Sequence, residues 1–364
     1  MINILEILFL IVFIIQVFYY LYFFSRFAFS SNIFKKKSNI PVSVIICAKN
    51  EANNLKLFLP SIISQSYATF EIVLVNDHST DDSLQVMLDF QKKHTNIQVV
   101  NLNKTLGNKK NAVTQGINTA KYEHLLFTDA DCEVKHNNWI NEMTSHFSNE
   151  KQLILGYGAY EKINNSWLNK LIRFETLLTA IQYFSYAKAN LTYMGVGRNI
   201  AYTKSLFAKA NGFTKHQHIK SGDDDLFVNQ MAVKNNVSLC YSESSFTYSK
   251  SHTNFKKWIY QKRRHISTAN HYKLIHQFLL GLFYISQLLF WLLTFFLLFT
   301  SGSLIFISII ITIRFFLLYI IYGFSAKKLK ETDLVLYLPF LELFLMIAHM
   351  YIFIQNIFSK PTNW

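Results

Sequence analysis

The stretch VSVIICAKNE (residues 42–51) joins an unbroken apolar run to a short polar segment. Residues 42–47 lack polar alternation, so they predict a strand buried on both faces. A helix is predicted next, at 51–65. The pattern recurs, with strands predicted at 71–75, 97–102 and 124–128 and helices at 81–93 and 108–120. Strands and helices that alternate at this spacing predict an α/β fold with a mostly parallel sheet.

Polar clusters follow three of these strands, at the edge where parallel sheets bind ligands. They are AKNE (48–51), NDHS (76–79) and DAD (129–131). Asp129 and Asp131 can both reach one hard cation, and Mg2+ or Mn2+ prefers such oxygen ligands. A solvated loop is the alternative for an Asp-x-Asp pair. The chain has no GxGxxG after the first strand and no GxxxxGK[ST], which argues against a dinucleotide fold and a P-loop.

Three adjacent carboxylates occupy residues 223–225, just before a helix predicted at 226–234. Their mutual repulsion favours a raised pKa, as a general base near neutral pH requires. The alternative is an acidic first turn that the helix dipole stabilises.

The segment QKRRH (261–265) lies on a predicted amphipathic helix. Gln261 and Arg264 are three residues apart and share a face, where they can hold a diphosphate. The remaining basic residues of this helix are interpreted as membrane-surface charges: Lys256, Lys257, Lys262 and Arg263.

Apolar residues are concentrated at the two ends of the 364-residue chain, which is 51% hydrophobic and 16% charged. Four stretches are long enough to cross a bilayer: 4–24, 278–299, 304–324 and 334–358, with a tight turn at 301–303. A cleaved signal peptide is disfavoured because positive charges follow the first stretch instead of preceding it. The composition excludes a disordered chain. The spacing of the three cysteines indicates neither a zinc site nor a disulfide framework.

The formal net charge of +14 arises largely from basic segments at 26–37, 256–264 and 327–330. Four spans place all three segments on one side of the membrane. By the positive-inside rule the N-terminus is outside and the middle block is cytosolic. Membrane anchoring then accounts for the basic surplus, and no nucleic-acid partner is expected.

Two charged residues fall within the predicted spans, Arg314 and Glu342. At about 1.5 Å per residue they lie at roughly 15 and 12 Å from the cytosolic loop between their helices. Ionised groups at such depth need a partner, so we predict that the two form an ion pair. The alternative to this ion pair is that the Arg314 side chain extends to the membrane–water interface or contacts a phosphate group of the acceptor.

The ordered motifs, with VNDHSTDDS (75–83), TDADC (128–132) and SGDDDL (221–226), resemble family 2 glycosyltransferases over about residues 40–270. The resemblance implies a GT-A fold of two abutting Rossmann-like halves, with one transmembrane helix before it (1–26) and three after it (278–358). It implies an inverting, metal-dependent transfer from a UDP- or GDP-sugar, with Mg2+ or Mn2+. Membrane-attached family members with a similar layout include cellulose and hyaluronan synthases, ceramide glucosyltransferase and bacterial lipid-linked sugar transferases. The last two imply a lipid or lipid-linked acceptor. A bacterial inner membrane is the expected location.

The resemblance also implies roles for single residues. It assigns Ala48, Asn50, Glu51, Asp77, Lys109, Lys110, Asp129, Gln261, Arg264 and His265 to the nucleotide sugar, Asp129 and Asp131 to the metal, and Asp223 and Asp224 to catalysis, with Asp224 as the base. Segments 197–201 and 211–213 resemble those that flank the acceptor.

The chain departs from the family pattern at two positions. Asp223 replaces a usual Glu, and His265 replaces the Trp of processive synthases, which argues for single transfer. A processive polysaccharide synthase and a catalytically silent nucleotide-sugar sensor or assembly subunit remain as alternatives. Residues 167–189 predict an amphipathic helix that lies at the membrane surface or packs on the sheet.

Overall fold

The computed structural model describes residues 4–31, 37–104, 108–266, 268–300 and 304–359. The side chain of His265 and the turn predicted at 301–303 lie outside this part. The strands are β1 (Val42–Ala48), β2 (Phe70–Asp77), β3 (Ile97–Leu102), β4 (His124–Phe127), β5 (Cys132–Val134), β6 (Leu153–Leu155), β7 (Gly158–Tyr160), β8 (Ile200–Thr203), β9 (Val237–Leu239) and β10 (Thr247–Ser249). The α-helices are α1 (Ile4–Phe18), α2 (Ser25–Ala28), α3 (Ala52–Ile63), α4 (Ser83–Lys93), α5 (Lys109–Thr119), α6 (Trp139–Thr144), α7 (Trp167–Lys188), α8 (Lys204–Lys209), α9 (Asp225–Met231), α10 (Phe255–Ile266), α11 (Leu274–Thr300), α12 (Leu304–Lys328) and α13 (Leu338–Phe358).

Seven strands form one sheet in the order β3-β2-β1-β4-β8-β6-β9. Only β8 is antiparallel to its neighbours β4 and β6, so the predicted α/β fold with a mostly parallel sheet is confirmed. In the register of β1 and β2, Ala48 lies beside Asn76, so the polar segments after these strands meet at one edge. A second sheet, β5-β10-β7, begins directly after Asp131.

Helices cover both faces of the large sheet. α5 packs on β1 and β2 from one side, and α3 and α4 pack together on the other. Gly116 lets α5 lie close to the sheet, because a Cβ there would stand 2.7 Å from Cγ2 of Ile45. This close approach fixes the start of α5, and with it Lys109, at the edge where the polar segments meet.

The long helix α7 lies between the sheet and the long apolar helices at the two ends of the chain. The Tyr183 hydroxyl donates to the Gly156 carbonyl at 2.7 Å, next to β6. The Tyr186 ring stacks on Phe23 of the N-terminal helix, with centroids 4.6 Å apart. Protein therefore covers both faces of α7. Of the two alternatives for residues 167–189, packing on the sheet is the one observed, and aromatic residues on the other face of α7 contact the long apolar helices.

Four helices are long and apolar enough to cross a membrane: Ile4–Ala28, Leu274–Thr300, Leu304–Lys328 and Thr332–Phe358. Each contains one of the predicted spans. The first passes through a π-helical segment, Tyr19–Phe24, and the fourth opens with a 3-10 segment, Thr332–Tyr337.

The predicted ion pair between Arg314 and Glu342 is confirmed. The Arg314 guanidinium is fully buried and donates to Glu342 through both terminal nitrogens, one of them 2.8 Å from Oε2. Its Nε donates to Oε1 of Gln16 at 2.7 Å, and Gln16 in turn donates to the Ser286 carbonyl at 2.8 Å. Gln287 donates to Glu342 at 3.1 Å. All four long helices therefore contribute to one buried polar network.

We expect Arg314→Leu to lower the melting temperature in detergent more than the double substitution with Glu342→Leu does. The single change strands a buried carboxylate at a cost of about 3–5 kcal/mol, whereas replacing both partners with apolar groups is often near neutral. Thermal unfolding of wild type, both single variants and the double variant measures the coupling. Phe316→Leu, an exposed position on the same helix, is the matched control. Additive effects of the two substitutions would contradict the pair.

Candidate active site

Asp129 and Asp131 lie just beyond the end of β4. The Asp129 carboxylate pairs with the Lys109 ammonium, and Nζ of Lys109 also stands 3.6 Å from Oδ2 of Asp223. Burial opposes ionisation of Asp129, but the Lys109 ammonium outweighs it and the pKa of Asp129 lies below its usual value. Lys109 thus links the end of β4 to the acidic triplet.

Asp131 is the carboxylate suited to a cation. Burial, together with the neighbouring charge of Asp129, raises the pKa of Asp131, and a divalent cation would relieve that repulsion. Within the described ranges, no three His, Cys, Asp or Glu side chains gather into a metal-binding group. The described residues therefore offer an aspartate pair, and water or phosphate oxygens would supply the further ligands of a bound ion. This donor set fits Mg2+ or Mn2+ shared with a diphosphate.

The sequence analysis included Arg198 only within the segment 197–201, which resembles one that flanks the acceptor, and gave the residue no role of its own. Its guanidinium packs over the Tyr160 ring at 4.3 Å and donates to the Gly158 carbonyl at 2.9 Å. From this position the positive charge of Arg198 acts to lower the pKa of both Asp129 and Asp131. An arginine next to Gly197 was the available signal, but only the short strand β7 shows that it points toward the aspartates.

The three carboxylates of the triplet have different surroundings. Asp225 accepts hydrogen bonds from the hydroxyl groups of Tyr272, at 2.6 Å, and Thr268. Asp223 faces Lys109. These contacts make Asp225 part of the structural framework and Asp223 part of the charge balance at the pocket.

Asp224 accepts hydrogen bonds from the backbone N–H groups of Gly197, at 2.6 Å, and Asp225, at 2.8 Å. It lines one small pocket together with Lys109. Burial raises the pKa of Asp224 to about 7, and the adjacent carboxylates of Asp223 and Asp225 contribute to the rise. A carboxylate with such a pKa is suited to take up a proton near neutral pH.

The segments after β1 and β2 are joined to each other. Asn50 has a φ of 58°, and its side-chain oxygen accepts from the Thr80 N–H at 2.8 Å. The Glu51 N–H donates to Oγ of Ser83 at 2.8 Å. Ala48 and Asp77 end the two strands. Four of the residues that the resemblance assigned to the nucleotide sugar therefore lie at one end of the sheet: Ala48, Asn50, Glu51 and Asp77.

Lys110 does not line this pocket, although Lys109 does. Its ammonium is fully buried and donates to the carbonyls of His216, Ile219 and Ser221. The structure thus separates two lysines that the sequence offered as equivalent, because consecutive residues of a helix point about 100° apart.

Helix α10 carries Gln261 and Arg264. The positive charge of Arg264 helps to lower the pKa of Asp129, which indicates that the guanidinium lies toward the aspartate pair. His265 lies on the same helix, but its side chain is outside the described part of the chain.

Two basic residues of α10 are bound within the protein. Lys262 pairs with Glu175 of α7, and both side chains are largely buried. Arg263 donates to Oδ1 of Asn356 on α13 at 2.9 Å. Their interpretation as membrane-surface charges is wrong, because partners distant in sequence meet them here. Lys256 and Lys257 are exposed.

The mostly parallel seven-stranded sheet, with the aspartate pair just beyond β4, is a GT-A fold, and it is joined to four helices that are long and apolar enough to cross a membrane. A mannosyltransferase from Pyrobaculum calidifontis, solved in complex with GDP-Man and Mn2+, shares this fold. Its TM-score is 0.60 over 97% of this chain and 99% of that chain, at 16% identity.

Residues 43–210 match the family described as Glycosyl transferase family 2, the family that the motifs of this chain resemble. A poly-beta-1,6-N-acetyl-D-glucosamine synthase of Staphylococcus epidermidis is 34% identical over 90 residues, 25% of this chain and 21% of the relative. A poly(ribitol-phosphate) beta-glucosyltransferase of Bacillus spizizenii is 26% identical over 196 residues, 51% of this chain and 28% of the relative. The matched parts are therefore under a third of either relative's length.

Proposed function

We propose that the protein is an inverting glycosyltransferase that moves a sugar from a UDP- or GDP-linked donor to a membrane lipid or lipid-linked glycan. One observation carries this proposal: the Asp224 carboxylate, with a pKa near neutrality, lines a pocket whose other wall holds Lys109, paired with Asp129. Asp224, the proposed proton acceptor, thus lies close to Lys109 and Asp129, which are suited to bind the diphosphate of the donor and its metal ion.

In the proposed reaction Asp224 accepts the proton of an acceptor hydroxyl as its oxygen attacks the anomeric carbon. The bond from that carbon to the diphosphate breaks on the opposite side, so the configuration inverts in one displacement. The contacts of Asp223 with Lys109 and of Asp225 with Tyr272 engage the other two carboxylates, which disfavours a second nucleophile.

Three cationic side chains of this chain are placed to stabilise the negative charge of the departing diphosphate. Lys109, Arg198 and Arg264 all act on Asp129 at the end of β4. The planar guanidinium groups of the two arginines match phosphate oxygens in pairs. Mg2+ or Mn2+ held by Asp131 and Asp129 would supply further neutralisation of the leaving group when bound.

We place the acceptor at the membrane because the catalytic domain is joined directly to the apolar helices. Tyr186 stacks on Phe23, and Arg263 reaches α13. The basic segments flank the domain side of the long helices, which supports a cytosolic domain, an outside N-terminus and a bacterial inner membrane. This charge distribution needs no nucleic-acid partner.

A processive polysaccharide synthase is the second candidate, and the name of the Staphylococcus epidermidis relative favours it. The test uses full-length protein in lipid nanodiscs with UDP- and GDP-sugars and a bacterial lipid extract. We expect release of one nucleoside diphosphate and a glycolipid extended by one sugar of inverted configuration, detected by mass spectrometry and NMR. A ladder of long products would favour the synthase. Donor binding without turnover would favour a silent sensor.

A further inference from the structure

The segment that leads into the acidic triplet is irregular. Residues 213–222 contain one 3-10 turn, Thr214–His216, and belong to no strand. At their end Gly222 adopts a φ of 90°, and a Cβ there would stand 2.5 Å from Cδ1 of Leu226. The chain direction at Asp223 and Asp224 therefore depends on how residues 216–222 are held.

Lys110 holds residues 216–221 through hydrogen bonds to three of their backbone carbonyls. Its Nζ lies 2.7 Å from the carbonyl oxygen of His216, 2.8 Å from that of Ile219 and 2.7 Å from that of Ser221. Three carbonyls match the three N–H donors of an ammonium group, so the buried charge is fully hydrogen-bonded. The last of these carbonyls is two residues from Asp223.

The charge of Lys110 also bears on the triplet. The side chain is fully buried, and burial lowers the pKa of Lys110 to about 8, while the carboxylates of Asp223, Asp225 and Asp224 act in the opposite direction. A buried ammonium is costly unless opposite charge lies near, and the triplet supplies that charge. The same interaction favours the ionised form of the triplet.

We infer that Lys110 is a positioning residue: it fixes residues 216–222 through three carbonyls and so sets the place and the ionisation of Asp224. This inference rests on the proposed function, in which Asp224 is the base. It differs from the role that the resemblance implied, a contact with the donor.

The test compares Lys110→Met, which removes the charge and all three donors, with Lys121→Met, an exposed lysine just beyond α5. For Lys110→Met we expect kcat to fall at least about tenfold with the donor KM within about twofold. The midpoint of the pH–rate profile should rise by about one pH unit, because one positive charge near the base is lost. The other groups that act on Asp224 stay in place: Asp223 and Asp225 beside it, and Tyr202 from β8.

A second measurement does not need turnover. Hydrogen exchange of the peptide covering 213–226 should be faster in Lys110→Met than in wild type and unchanged in Lys121→Met. Unchanged exchange there would overturn the inference. A raised donor KM with unaltered kcat would do the same and would restore the donor contact.

If kcat falls while the pH midpoint stays, Lys110 serves the fold alone and the positioning role is wrong. If Lys110→Met does not fold, Lys110→Gln keeps one NH2 donor without the charge and is expected to show the same direction of change. Should wild type transfer no sugar, the proposed function fails, and the exchange measurement still decides whether Lys110 holds the segment.

Discussion

Replacing Asp224 with asparagine is expected to reduce sugar transfer by about 10²–10⁴-fold, the usual contribution of a general base. The amide keeps the shape and can still accept the Gly197 N–H, but it cannot take the acceptor's proton. Donor affinity should change little, because the Asp224 contacts described here are with the backbone. Nucleotide release under saturating donor, together with donor binding by calorimetry, measures both quantities.

Asp223→Asn is the matched control for this substitution. It weakens the contact with Lys109 and should cost less than Asp224→Asn does. If Asp223→Asn were the crippling change and Asp224→Asn mild, the base would be displaced by one residue. A product of retained configuration would overturn the single displacement altogether.

The raised pKa of Asp224 also gives a pH dependence. Transfer should increase with pH, with a midpoint near pH 7, and level off at higher pH where Asp224 is fully ionised. Stability should change in the opposite direction. Between about pH 4 and pH 7 the folded protein keeps a proton at Asp224 that the unfolded chain has lost, so this contribution to stability falls as pH rises.

Asp131→Asn is expected to lower turnover at least about 100-fold, since the charge stabilisation from a metal ion is worth several kcal/mol. The substitution removes a carboxylate at the start of the small sheet without removing a core side chain, so the melting temperature should change little. A titration with Mn2+ should show that the variant needs a higher Mn2+ concentration for half-maximal turnover than wild type does. Glu133→Gln, two residues along the chain, is the control.

Chelation provides the matching experiment on the wild-type protein. Excess EDTA should abolish turnover, and added Mg2+ or Mn2+ should restore it. Full activity in excess chelator would contradict metal dependence, and a loss in Glu133→Gln equal to that in Asp131→Asn would contradict the assignment of the site.

The first half of the sheet could be predicted because its strands are long apolar runs. Residues 97–102 were predicted as a strand, and Ile97–Leu102 is one. The later strands were not predicted, since β5 and β9 contain three residues each and such a length carries no periodicity.

Site residues could be predicted where several acidic residues stand together in the sequence. They could not be predicted where their role depends on contacts with residues that are distant in sequence. Residues 129–131 and 223–225 stand out by charge alone. The separation of Lys109 from Lys110 depends on which loop each faces, and the partner of Lys262 lies on another helix. Arg198 is one of six arginines in the sequence, and only its contact with Tyr160 of β7 shows its place at the site.

With the four long helices placed in a membrane, as we propose, the buried network around Arg314 has a consequence for biogenesis. As α12 leaves the ribosome, an unpaired arginine at its centre opposes insertion by about 2.5–3.5 kcal/mol on translocon scales. Its carboxylate partner on α13 is synthesised later, so the two helices are best inserted as a hairpin. Gln16 completes the set from the opposite end of the chain, although it enters the membrane before the entire catalytic domain is made. The first helix must therefore still be able to reach α12 after the catalytic domain has been made, when Gln16 can accept the hydrogen bond of Arg314.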